Sequence, residues 1–231
     1  MESVTNPNTE VEKTPKNHHD TLEESIAKMK LAFSNASLPQ IFVVMVTVGY
    51  TAEKIAGLNT ELTQFEALYQ GQIKEYADQD EEQQKFNAER ARVNTVFNQH
   101  RGIARIHFRG DTHAWVALQL DVENPKAYSS WLELTTNFYA QFEGNPAMQL
   151  KADTIGITAT VVAAQKQAIA GVQALKESLR DETAQAQSAT EARDKAFDIL
   201  YPKYIDYIKF AKIMLPDSQS LEAIGVTVKA K

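Results

Sequence analysis

From Thr51 onward, Ile55, Leu58, Leu62, Phe65, Tyr69, Ile73 and Tyr76 recur three or four positions apart. With 3.6 residues per turn, this spacing lays one apolar stripe along a helix of about seven turns. Asp80-x-x-Gln83 has the form of a capping box, in which two polar side chains satisfy the unpaired amides of a helix start, and it predicts a second helix opening there. That helix carries Phe86, Val93, Val96, His100, Ile103 and His107 on its stripe and closes at Gly110. Val162, Ile169, Val172, Leu175 and Leu179 mark a third long helix. A further capping box, Ser188-x-x-Glu191, opens a fourth through Phe197, Leu200, Tyr204, Tyr207, Ala211 and Met214. Pro202 lies inside that helix, where it removes an i→i−4 hydrogen bond, so a kink is expected near Asp198–Tyr201.

The run Ile41–Val48 is rich in β-branched residues and resembles a strand by composition, but its borders favour a helix. Pro39 suits the first helical position and Gly49 the left-handed residue beyond the last turn; Asn145-Pro146 and Gly156 repeat the arrangement. Pro216 and Gly225 bracket a third such segment. Short helices are therefore expected at about 39–48, 146–155 and 217–224. Two more cover 22–33, opened by the capping box Thr21-x-x-Glu24, and 127–142. No strand-rich stretch is visible, and the fold class is all-α.

The chain also matches itself. Thr47–Ala52 reads TVGYTA and Thr154–Ala159 reads TIGITA. The 107-residue offset that carries Thr47 onto Thr154 also places Ile55 on Val162, Leu62 on Ile169, Phe97 on Tyr204, Ala104 on Ala211 and Arg105 on Lys212. One deleted residue then aligns Asp111 with Asp217 and Leu118 with Ile224. Amphipathic helices align by chance at apolar positions, but chance does not explain a shared Gly-x-Thr-Ala turn at a fixed distance from Ala-Arg/Lys-Ile. The reading is a tandem duplication of a helical-hairpin unit, with repeats at about 22–123 and 127–226. They form a four-helix-bundle-like core with additional short helices, one domain over 21–226, flanked by a polar tail at 1–20 and a short tail at 227–231.

Composition narrows the function. The 231 residues (25.8 kDa) are 43% hydrophobic and 23% charged, ordinary for a globular chain. Without cysteine, disulfides, thiolate metal sites and a cysteine nucleophile are excluded. With 24 basic and 30 acidic residues the net charge is −6, which argues against a dedicated nucleic-acid binder. The first twenty residues hold no apolar core after a basic start, so no signal peptide is expected, and a soluble cytoplasmic protein without a membrane span is the default.

No nucleophile, metal or cofactor pattern is recognisable, so neither catalytic residues nor a cofactor are expected. Ile155–Val161 resembles the turn of DNA-binding helix-turn-helix modules. The helices that follow open with Ala52, Glu53, Lys54 and with Ala159, Thr160, Val161, and neither opening turn is basic as a recognition helix needs. Arg101, Arg105 and Arg109 are four apart and share a helix face that could grip anions, with Phe108 and Trp115 available for stacking. Cations also gather at helix C-termini because of the backbone dipole, and that reading is favoured. His100 and His107 fall on the apolar stripe, without the Glu-x-x-His pairs of bundle metal sites.

One difference between the repeats points to a partner. Phe42, Val44 and Val46 stand where the second repeat has Gln149, Lys151 and Asp153. Leaving such side chains in water is unfavourable by roughly 25 cal/mol per Å² relative to burial. The helix at 22–33, another subunit or a protein partner should cover them. The expected function is a non-catalytic structural or protein-interaction protein that self-associates through this segment. An anion- or nucleic-acid-binding module using the arginine row is the alternative.

Overall fold

The computed structural model describes residues 20–227, so all but the inner ends of the two expected tails lie outside the described residues. In chain order the helices are α1 (Leu22–Asn35), α2 (Pro39–Met45, continued by a 3-10 turn at Val46–Val48), α3 (Ala52–His107) and α4 (Thr112–Ala117). They are followed by α5 (Tyr128–Gly144), α6 (Pro146–Asp153), α7 (Ala159–Met214) and α8 (Ser218–Ala223). The protein is all-α, with no strand among the described residues.

The helix ends follow from local chemistry. Thr21 and Glu24 close a reciprocal capping box, with the Thr21 amide donating to Glu24 Oε2 at 2.8 Å and the Glu24 amide to Thr21 Oγ1 at 3.2 Å. Pro39 and Pro146 sit in the first turns of α2 and α6, where a missing N–H costs no intrahelical bond. Gly49 and Gly156 take left-handed conformations (φ 86° and 81°) that reverse the chain before α3 and α7. Asp111 and Asp217 cap α4 and α8 by accepting from the amides of Ala114 and Ser220.

Instead of four long helices there are two, each of 56 residues. No break occurs at Asp80 or Ser188. A capping box stabilises a start only where something interrupts the helix. Apart from Asp78 and Asp80, residues 77–85 are Ala, Glu, Gln and Lys, strong helix formers, with neither glycine nor proline. The Asp80 carboxylate instead accepts from the Gln84 amide one turn on, at 2.7 Å. Helix α7 likewise runs on through Pro202. Helix α4 was not expected as a separate element, although Asp111 had aligned with the cap of α8.

The chain divides into two compact units that cut across the sequence halves. The first holds the described residues up to Ala67 together with those from Lys195 onward: α1, α2, the start of α3, the end of α7, and α8. Its core packs Met29, Phe33, Ile41, Met45, Leu58 and Phe65 against Leu200, Tyr207 and Ala211. Tyr50 meets Tyr207 edge to face at 5.0 Å. The second unit, Leu68–Asp194, packs Val93, Phe97 and Phe108 against Trp131, Phe138, Tyr139, Val162 and Val172. Within that unit the seam between α3 and α7 includes polar pairs, Gln79 with Thr183 and Gln72 with Arg193. Each large side chain buried in these cores contributes about 1.5–3 kcal/mol, which fixes helices too polar to persist alone.

Candidate interaction surface

Helix α2 has one buried side and one open side. Ile41 and Met45, four residues apart, are fully buried in the first unit's core. Phe42, Val44 and Val48 are half-buried against the same core, so the 22–33 region and its neighbours do provide part of the expected cover. Val46 is 38% exposed and Val43 68%. The Thr47 hydroxyl donates to the Val44 carbonyl, so this turn presents no free hydroxyl donor beside the valines. From Leu31 to Ala52 the sequence contains no charged residue.

Beside α2 lies an open groove of about 500 Å³, lined by Phe33, Phe42, Ile55, Ala56 and the edges Ser34 and Asn59. Phe33 and Ile55 form an apolar base. Small side chains at Ser34, Ala52 and Ala56 leave the space, because nothing larger reaches across from α1 or α3. The Asn59 amide is tied down, donating to the carbonyls of Ile55 at 3.0 Å and Phe33 at 3.3 Å. The groove therefore joins an apolar base to polar side chains at Ser34, Ser37 and Asn59.

In the second unit, α6 is polar where α2 is apolar. Gln149 donates to Asp153 at 2.7 Å and to the Ile157 carbonyl at 2.8 Å. Lys151 pairs with Asp111 at 2.7 Å, which holds the Asp111 carboxyl below its usual range. Lys166 on α7 pairs with Glu143 on α5 at 2.5 Å. Leu150 stands out at 71% exposed, but it is flanked by Gln149 and Lys151.

The arginine row does not form one face toward solvent. Arg101 is only 3% exposed and donates through Nη2 to the carbonyls of Gln119 and Val122. Arg105 donates to the Leu120 carbonyl at 2.7 Å and the Val122 carbonyl at 3.3 Å. Arg109 is exposed, and Phe108 is buried. Two of the three cations thus clamp the turn after α4, where Gln119 adopts φ 50°. Arg90, Asn94 and Asn98 extend the clamp along α3, the first to the Lys126 carbonyl and the others to the Asn124 amide. Burial lowers the pKa of Arg101, with the neighbouring Arg105 charge acting in the same direction.

His100 is half-buried and shares a 2.9 Å hydrogen bond with the Tyr139 hydroxyl; burial lowers its pKa. Burial raises that of Tyr139. His107 is exposed and meets Phe108 edge to face. Among the described residues no group of three or more histidines and carboxylates is placed to hold a metal ion. No single helix among them is long and apolar enough to cross a membrane.

Of the three residues compared between the repeats, Phe42 and Val44 are half-buried against the core and Val46 is exposed. Val43 is the most exposed of the segment, and the comparison of the repeats does not single it out because its counterpart, Leu150, is apolar too. Comparison with family models, curated proteins and solved structures finds no match.

Proposed function

We propose that this chain is a tandem duplication serving as a non-catalytic structural or interaction protein, and that it self-associates through the uncharged face of α2. The duplication is supported by the repeated helix order. The helices α3 and α7 have the same length at an offset of 107, the left-handed glycines 49 and 156 keep that offset, and Asp111 and Asp217 cap matching short helices. A helical hairpin that meets a second copy of itself buries its stripe by symmetry, as homodimers do.

The observation that carries the interaction reading is the 68% exposure of Val43 within a charge-free stretch, beside Val46 and the half-buried Phe42. At the positions of α6 that match Phe42, Val44 and Val46, the side chains Gln149, Lys151 and Asp153 are polar and already paired, whereas Val43 matches Leu150, itself 71% exposed. Exposed apolar side chains favour any contact that removes them from water, and a patch without charge carries no like-charge penalty against its own copy. The protein otherwise repels itself through a net charge of −6.

Sedimentation velocity of the chain and of its Val43→Asp, Val46→Asp double variant tests this. The unmodified protein should sediment as an associated species and the variant as a 25.8 kDa monomer. Identical profiles for the two would overturn the reading.

A further inference from the structure

We infer that the second unit binds a small phosphomonoester in the cleft between α3, the 118–127 connection and the start of α5. The cleft is open, measures about 400 Å³ and is lined by Asn87, Arg90, Asn94, Asn124, Lys126 and Trp131 beside two small apolar residues. All of them lie within Leu68–Asp194, so the inference is independent of self-association through α2.

The polar groups are held in place by the protein itself. Arg90 Nη2 donates to the Lys126 carbonyl at 2.7 Å, and the guanidinium lies 5.2 Å from the centre of the buried Trp131 ring. The Trp131 indole N–H donates to Asn94 Oδ1 at 2.9 Å, and Asn124 Nδ2 donates to the same oxygen at 2.9 Å. An indole nitrogen only donates, so Asn94 must turn its oxygen that way and its amide NH2 is left for another acceptor. Asn87 likewise spends its oxygen on Gln83, at 3.0 Å.

Donors are therefore in excess. Two cations and two unspent amide NH2 groups line the cleft, and no carboxylate does. Among the described residues neither Arg90 nor Lys126 has an ion-pair partner, and Glu89 beside Arg90 is held by Arg92 at 2.6 Å. Glu123 is exposed on the connection and Glu177 acts on Tyr128 from α7, but neither lines the cleft. On a chain of charge −6, an uncompensated positive site selects an anion.

The number of donors selects which anion. A phosphomonoester carries a charge of about −1.5 to −2 near pH 7 and three terminal oxygens, matching two cations and two amides. A carboxylate brings one charge and two oxygens, and leaves a cation unmatched. The phosphate group alone occupies the space of a few waters, each about 30 Å³, so the cleft also has room for the body of a small ester.

Trp131 reports occupancy, because its indole N–H is bonded inside the site and Arg90 lies over its ring. The full chain has two tryptophans, so an isotope-labelled sample gives two indole signals, and Trp115→Phe identifies that of Trp131. Glycerol phosphate should shift that signal saturably at millimolar concentration or below, and glycerol should not shift it. Dimethyl phosphate, with a single charge, should bind about tenfold more weakly or worse. Lys126→Gln removes the ammonium but keeps the carbonyl that holds Arg90, and should weaken glycerol phosphate roughly tenfold or more. Lys212→Gln, at an exposed cation of the first unit, should leave binding unchanged. Absence of a saturable shift refutes the site. Equal binding of glycerol phosphate and dimethyl phosphate, or equal weakening by Lys126→Gln and Lys212→Gln, refutes it as general charge attraction. Inorganic phosphate binding more tightly than glycerol phosphate would overturn the assignment to an ester.

Discussion

Replacing Arg101 by methionine separates its clamp role from an anion-binding one. Arg101 is 3% exposed and donates to the carbonyls of Gln119 and Val122. A hydrogen bond from a charged donor contributes about 1.5–3 kcal/mol, so losing two removes roughly 3–6 kcal/mol. Two effects oppose that loss. The Arg101 Nε is buried without a partner, an orphan donor costing about 1–3 kcal/mol, and burying the guanidinium charge adds a further desolvation cost. Methionine also keeps most of the side-chain volume, and Arg105 still reaches the Leu120 and Val122 carbonyls. The balance is a local loss of about 1–3 kcal/mol. Amide hydrogen exchange reads it directly at Leu120 and Val122, whose N–H groups donate to the carbonyls of Trp115 and Gln119 at 3.1 and 3.3 Å. Exchange there should quicken roughly tenfold to a hundredfold, since 1.4 kcal/mol is a factor of ten, with little change in the first unit. Unchanged or slower exchange would mean that the buried charge costs more than its hydrogen bonds return, and the clamp account would be wrong.

Other consequences follow from the same reasoning. His100 titrates below its ordinary value of 6.5 because it is buried, so the unfolded chain takes up its proton first. Its contribution is complete above pH 6.5 and is lost as the pH falls below that value and through the lower value of the folded state. The urea midpoint should therefore drop between pH 8 and pH 5.5, and His100→Gln should flatten the slope; an unaltered slope would refute the assignment. Pro202 is exposed within α7, so Pro202→Ala restores a backbone bond and should raise stability by about 1–3 kcal/mol in thermal unfolding. Gly57 lies in α3 with open space around its Cα, so Gly57→Ala should stabilise by about 0.5–1 kcal/mol. Gly49→Ala, at φ 86°, should destabilise by about 1 kcal/mol, and the opposite order of midpoints would contradict the helix boundary between α2 and α3.

The termini of the short helices were legible because their signals are local: a capping box at Thr21, proline at 39 and 146, glycine at 49 and 156. Their β-branched content misleads only if composition is weighed above those borders. The continuity of α3 past Asp80 was not legible. The same Asp-x-x-Gln letters serve as a helix start or as i,i+4 pairing within a helix, and the choice depends on whether the backbone is interrupted. Nor could periodicity reveal that Arg101 turns inward. A cation on a stripe reads as solvated until a distant turn, here 119–122, supplies the carbonyls that hold it. The apolar character of α2 was plain, but the outward side at Val43 emerged only once Ile41 and Met45 were seen to fix the helix rotation. Division into units that exchange the ends of α3 and α7 is a matter of long-range contact, which residue patterns do not record.

The account turns on whether two copies meet through the α2 face, and the mass of the unmodified chain in solution tests this most directly. Light scattering behind gel filtration, over a hundredfold range of loading, should show the mass rising from 25.8 kDa toward twice that value as concentration increases. A mass that stays at 25.8 kDa across the whole range would contradict it.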